Sequence, residues 1–285
     1  YVANVLDQIG CTDDNTLYAQ SICPDEINHE AGDITDLFAT YLGEVFHLGG
    51  LAGIPFTGKT GFAAYSTHVP DDGNMFILFA PHIGLSSSNQ FGKYSRDFQS
   101  EDGAACGACV GGFSHCVNGG AIPDAKSMFA DPFDHQMQYI IHEIDKVKHL
   151  VLAQKELSES AMQAELVRQM FYICLHFLEQ IVNTKKGRLI LLGGIQINMP
   201  RPMNDYFQPM FFQIWEEGKP VVDKLHVFDH EAHDIIVPPL PLDKLSIREE
   251  GQTPQADADA DSPPAPPGAA PQPCVRTRRR SSIRL

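Results

Sequence analysis

Three residues from distant stretches of the chain carry donor types that suit a single metal ion. Cys23 lies in Ser21-Ile22-Cys23-Pro24-Asp25, His82 ends the apolar run Met75-Phe76-Ile77-Leu78-Phe79-Ala80-Pro81-His82, and Cys106 lies in Ala104-Ala105-Cys106-Gly107-Ala108. Two thiolates and one imidazole are Zn2+ donors. Three protein donors leave one tetrahedral position open, which marks a catalytic site rather than a structural one. Asp25 sets a carboxylate beside the first thiol. Gathered around one ion, such a set activates water for attack on an electrophile.

Other motifs offer rival chemistry. Cys106 and Cys109 form a C-x-x-C, which alone reads as half a zinc ribbon or as a redox pair. A ribbon needs a second such pair, and the sequence has none. A thioredoxin-type pair opens a helix that follows a strand, whereas residues 97–105 read as a polar loop. Cys116, after His115, is a weaker ligand candidate, and Cys11 and Cys174 read as small buried hydrophobes. Gly53-Ile54-Pro55-Phe56-Thr57-Gly58-Lys59-Thr60 spells a phosphate-binding loop. Such a loop needs a buried strand before it and a long helix after it, whose first amides face the phosphates. Leu48-Gly49-Gly50-Leu51-Ala52 is too rich in glycine for that strand, and only Gly61–Val69 precedes Pro70. The segment is therefore read as a tight glycine loop near the cleft.

The elements that must position these groups alternate in type. Asp33–His47 reads as a helix, with Leu37, Tyr41 and Val45 on one face. Met75–Ala80 and Leu189–Ile197 read as buried strands, with Pro209–Trp215 and Leu225–Asp229 as further strands. Phe133–Lys185 carries a long helical pattern, split near Ser158-Glu159-Ser160. Helices alternating with strands imply an α/β domain, a mixed sheet covered by helices. From Glu249 to Leu285 the chain is Pro- and Ala-rich with little to bury, so the expected division is a folded domain over 1–248 and a disordered tail over 249–285. Five acids and five arginines cancel in that tail, so the domain carries the whole net charge of −15. Arg278-Arg279-Arg280-Ser281-Ser282 also resembles a basophilic kinase site.

A charge of −15 argues against nucleic acid as a partner. No apolar run approaches the roughly 18 residues of a membrane span. The seven cysteines of a 285-residue chain are too sparse for a disulfide scaffold and suit thiols or ligands. With Tyr1 first and no leader pattern, a fragment or processed form is expected.

Four stretches in order carry a family resemblance: Ser-Ile-Cys-Pro-Asp-Glu-Ile-Asn at 21–28, Thr-His-Val-Pro-Asp-Asp-Gly at 67–73, Ala-Pro-His-Ile-Gly at 80–84, and Gly-Lys-Tyr-Ser-Arg leading to Ala-Cys-Gly-Ala over 92–108. Over most of 15–240 the chain resembles the limiting-CO2-inducible B/C protein family, the theta-class carbonic anhydrases. The resemblance implies a fold like that of beta-class carbonic anhydrases and a zinc held by Cys23, His82 and Cys106. It further implies a homodimer and a place in a chloroplast CO2-concentrating system, in stroma or pyrenoid. The expected reaction is reversible hydration of CO2 to bicarbonate by zinc-bound hydroxide. The alternative is a zinc-fold partner protein with weak or no turnover. Beta-class enzymes spell the first motif Cys-x-Asp-x-Arg, but this chain has Ile27 where the Arg belongs. Arg96, the only Arg before Arg168, is assigned to hold Asp25 off the metal while Asp25 orients the nucleophile. His68, in the second stretch, is the candidate proton shuttle, and Phe56 and Phe62 are candidates for an apolar wall.

Overall fold

The apolar runs become strands buried on both faces, as parallel strands under two helical layers must be. The computed structural model describes residues 1–97, 99–182 and 187–228. In chain order these form α1 (Val2–Gln8), β1 (Thr16–Ile22), α2 (Ile34–Leu42), β2 (Val45–His47), α3 (Gly58–Thr67), β3 (Asn74–Ala80), β4 (His82–Gly84), β5 (Lys93–Tyr94) and β6 (Gly103–Ala104). There follow α4 (Gly107–Val117), α5 (His135–Leu152), α6 (Glu159–Ile181), β7 (Arg188–Asn198), β8 (Tyr206–Glu216) and β9 (Lys219–Asp223).

The main sheet runs β2-β1-β3-β7-β8-β9, and β4 also pairs with β7. Pairing is parallel from β2 to β7 and antiparallel from β7 to β9, so the sheet is mixed. β3 shows how the sequence builds two cores. Met75, Ile77 and Phe79 face α3 to α6, whereas Phe76, Leu78 and Ala80 face α1 and α2. β7 repeats the division, with Leu189 and Leu191 on one side and Ile190 and Leu192 on the other. Each such fully buried side chain contributes about 2 kcal/mol of transfer free energy.

Two expected elements change. The helix from Asp33 stops at Leu42, because Gly43 takes φ 93°, and the chain turns into β2. Leu225–Phe228 is a 3-10 turn rather than a strand; the edge strand is β9, exposed along its length. The long helical pattern divides where Ser158 caps α6, its side chain accepting from the Ala161 amide. The domain boundary at 248/249, the tail and the Arg-rich kinase-like motif lie outside the described residues.

Candidate metal centre

β1 and β3 are parallel neighbours in register, with Ile22 opposite Ala80. The next residues of each strand therefore emerge side by side at the carboxyl ends, where open α/β sheets place their sites. Cys23 leaves β1 there. Pro81 has no N–H for the ladder, but its carbonyl accepts from Gln196 N at 3.0 Å. His82 then resumes pairing with β7 as the first residue of β4, opposite Gln196.

The glycine segment is shaped to these strand ends. A Cβ on Gly49 would lie 2.4 Å from the Ile22 carbonyl oxygen, and one on Gly53, at φ 79°, would lie 2.3 Å from that of Ala80. Several of its amides are spent internally, Gly53 N donating to Gly50 O, Ile54 N to Leu51 O, Thr57 N to Leu48 O and Gly58 N to Pro55 O, while Leu51 N donates to Gln136 Oε1. Lys59 is exposed. The spelling of a phosphate loop thus serves close packing behind Cys23 and His82.

Cys106 arrives from another direction. Gly84 N donates to Ala105 O at 3.0 Å, Ala105 N to Gly92 O at 3.1 Å and Gly92 N to Gly84 O at 2.9 Å. This ties the segments at Gly92 and Ala105 to the end of β4. Cys106 is the N-cap of α4, an end that favours negative charge. The C-x-x-C pair does open a helix, preceded only by the two-residue β6. Cys109, however, is buried inside α4, and burial pushes its thiol well above the usual range.

The structure brings the three donor residues together. Cys23, His82 and Cys106 are all buried, with donor atoms within 4.8 Å of one another. The two Sγ atoms are 3.9 Å apart. Bonds of 2.3 Å at a tetrahedral angle separate two sulfurs by about 3.8 Å, so the spacing fits Zn2+. His82 Nε2 is buried and has no hydrogen-bond partner among the described residues, a costly state that a metal ion removes. The Cys23 thiol is pushed up by its contact with Cys106 and by burial, against a smaller opposing pull from His82. Burial alone would lower the His82 pKa, but Cys23, Asn198 and Asp25 leave it raised.

Asp25 and Arg96 meet beside this cluster. Asp25 Oδ2 lies 3.9 Å from His82 Nε2. Arg96 Nη2 donates to both carboxylate oxygens, at 2.8 and 3.0 Å, while its Nε donates to Glu26 Oε1 at 2.8 Å. Glu26 is held down at about 2, first by that bond to Arg96. The Arg thus spans two neighbouring acids rather than gripping Asp25 with its full fork.

His68 is not brought to the cluster. It caps the C-terminal end of α3, which runs back toward the start of parallel β3, and its ring packs 5.7 Å from Phe46. Phe46 is paired with Ala19, four residues or about 13 Å of strand before Cys23. The shuttle role expected of His68 therefore has no supporting geometry. Phe62 packs on Tyr65, and Phe56 on Tyr139 and Phe177, both as core contacts.

The sequence reading missed the polar residues behind the cluster. His82 Nδ1 lies 2.8 Å from Asn198 Oδ1, and Asn198 also reaches Asn28 and Asp205. Asn198 is the last residue of the strand expected to end at Ile197. An Asn closing an apolar run with an Asp shortly after it was the available signal. His29 Nε2 also lies 3.2 Å from Cys23 O, and burial lowers its pKa.

Comparison with known proteins fits this geometry. A solved structure of PtLCIB4, a homolog of the limiting CO2-inducible protein LCIB, superposes with a TM-score of 0.67 at 28% identity, covering 78% of this chain and 90% of that one. The structure of LCIB itself gives a TM-score of 0.56 at 20% identity, over 79% and 90% of the two chains, a likeness of fold. No match was found among curated protein sequences. The family model of limiting CO2-inducible proteins B/C beta carbonic anhydrases matches residues 1–216. With that match spanning most of its length, the chain belongs to the limiting CO2-inducible protein B/C family of beta carbonic anhydrases.

Proposed function

We propose that this protein is a zinc carbonic anhydrase that interconverts CO2 and bicarbonate. The observation that carries the reading is the buried triplet Cys23, His82 and Cys106 with the restrained carboxylate of Asp25 beside it. Zn2+ held by those three residues would supply Lewis acidity, lowering the pKa of water so that a nucleophile exists at neutral pH. Two thiolates neutralise the ion's charge, so the protein must help by orientation. Asp25 Oδ2 accepts a hydrogen bond from the attacking water and turns a lone pair toward the carbon of CO2. Arg96, on both Asp25 oxygens, keeps the carboxylate from taking the open position itself. Water adds to CO2 and bicarbonate leaves with one proton released to solvent.

Family membership supports the homodimer and the CO2/bicarbonate substrate pair as parts of the same proposal. A second reading, a zinc-fold partner with little turnover, is favoured by one observation: His68, the expected proton shuttle, packs on Phe46, about 13 Å of strand before Cys23. Stopped-flow CO2 hydration by zinc-loaded protein decides between them. Turnover lost in Asp25→Ala, with metal content unchanged, supports the enzyme. A background rate from fully loaded wild type overturns it in favour of the partner protein.

A further inference from the structure

Behind His82 lies a polar network whose donors and acceptors can be assigned in only one way. Asn198, His82 and Asn28 are buried, each at 1% exposure or less. One end of the Asn198 amide lies 3.0 Å from Ile27 O and 2.6 Å from Asp205 Oδ2. A carbonyl and a carboxylate only accept, so that end is the NH2 group. Its other end, Oδ1, must then face His82 Nδ1 at 2.8 Å. An acceptor there requires His82 Nδ1 to carry the hydrogen, which leaves Nε2 with its lone pair. Nε2 is the buried atom on the cluster side, without a hydrogen-bond partner among the described residues.

The same amide reaches the second ligand. Asn198 Nδ2 is 3.1 Å from Asn28 Oδ1, so its two hydrogens are divided among Asn28 Oδ1, Ile27 O and Asp205 Oδ2, and Asn28 Nδ2 donates to Cys23 O at 3.3 Å. The Asn28 orientation is likewise forced, since Cys23 O only accepts. Asp205 is pinned in turn by Met199 N at 2.7 Å. A chain of Asp205, Asn198 and Asn28 thus runs from the end of β7 to both His82 and the Cys23 turn.

We propose that Asn198 is the positioning residue of this centre: it sets the His82 tautomer that frees Nε2 for the metal, and through Asn28 it anchors the segment bearing Cys23. The inference rests on reading the cluster as a metal site, and partners of this kind typically shift metal affinity by about 10- to 100-fold. The deciding experiment is 15N-histidine NMR of metal-free wild type at alkaline pH, followed by zinc affinity in competition with a chromophoric chelator. The expected result is His82 protonated at Nδ1 in wild type, a mixed or reversed tautomer in Asn198→Ala, and about 10- to 100-fold weaker zinc binding by that variant. A wild-type His82 protonated at Nε2 overturns the proposal, even if the variant fails to fold. So does an Asn198→Ala protein with unchanged tautomer and zinc affinity. Neither readout needs turnover, so an inactive but metal-binding wild type would refute the enzyme reading and leave this one standing.

Discussion

Arg96→Ala tests whether the open metal position is kept open by restraint. Asp25 Oδ2 lies 3.9 Å from His82 Nε2, the same separation as between the two thiol sulfurs. A carboxylate at donor-like spacing from one ligand is poised to become the fourth ligand, and Arg96 Nη2 is what binds both its oxygens. Charge-assisted hydrogen bonds contribute about 1.5–3 kcal/mol. The Arg96 and Asp25 side chains are 19% and 14% exposed, which argues for about 2 kcal/mol. By the tenfold-per-1.4 kcal/mol rule, that shifts the balance between restrained and metal-closing Asp25 by about thirtyfold. The variant should therefore lose CO2 hydration by up to about that factor while keeping or tightening its metal. In Co2+-loaded protein, thiocyanate should perturb the visible spectrum of wild type but not of Arg96→Ala. Removing the carboxylate as well, in Arg96→Ala/Asp25→Ala, should restore the thiocyanate response. Arg96→Ala with wild-type hydration and anion binding would refute the restraint argument.

Cys23→Ala, His82→Ala and Cys106→Ala should each lose bound zinc by elemental analysis, while Cys109→Ala, whose thiol is buried in α4, should retain it; loss in all four would contradict a centre of three protein donors with an open position. Zinc affinity should fall at least about tenfold for each pH unit lowered from about pH 8 to about pH 6, because the Cys23 thiol, held up by Cys106 and burial, must shed its proton to bind. A flat affinity profile in chelator competition would contradict this. Asp33 is buried, and desolvation, followed by the charge of Asp205, raises its carboxyl to about 6. The folded state thus holds this proton more tightly than the unfolded chain, where the value is about 3.9, and Asp33 favours folding most at low pH. Its contribution should decline as pH rises from about 4 to about 6, and Asp33→Asn should flatten that branch of the melting-temperature profile.

The parts of this molecule that were legible in its sequence are those set by local pattern. β3 and β7 are short apolar runs too uniform for a half-exposed strand, and α5 and α6 carry a sustained helical repeat with a Ser cap between them. The donors Cys23, His82 and Cys106 stood out because their residue types and flanking motifs are unusual, and Asp25 because it neighbours one of them. What was hidden depends on chain reversals and on register. Gly43 ended α2 early because a positive φ was needed there, which no periodicity reveals. His68 lies within a family-like motif, but α3 must return to the start of β3 before that strand can pair in parallel with β1, so it leads away from the cluster. Asn198 was missed for the opposite reason. It closes an ordinary apolar strand, and its importance arises only because β7 pairs with both β3 and β4, which carries an amide past the last apolar residue to the back of His82. Residues that bind a metal advertise themselves by type. Those that hold the binders in place are ordinary amides and carboxylates, made specific by the sheet register that delivers them.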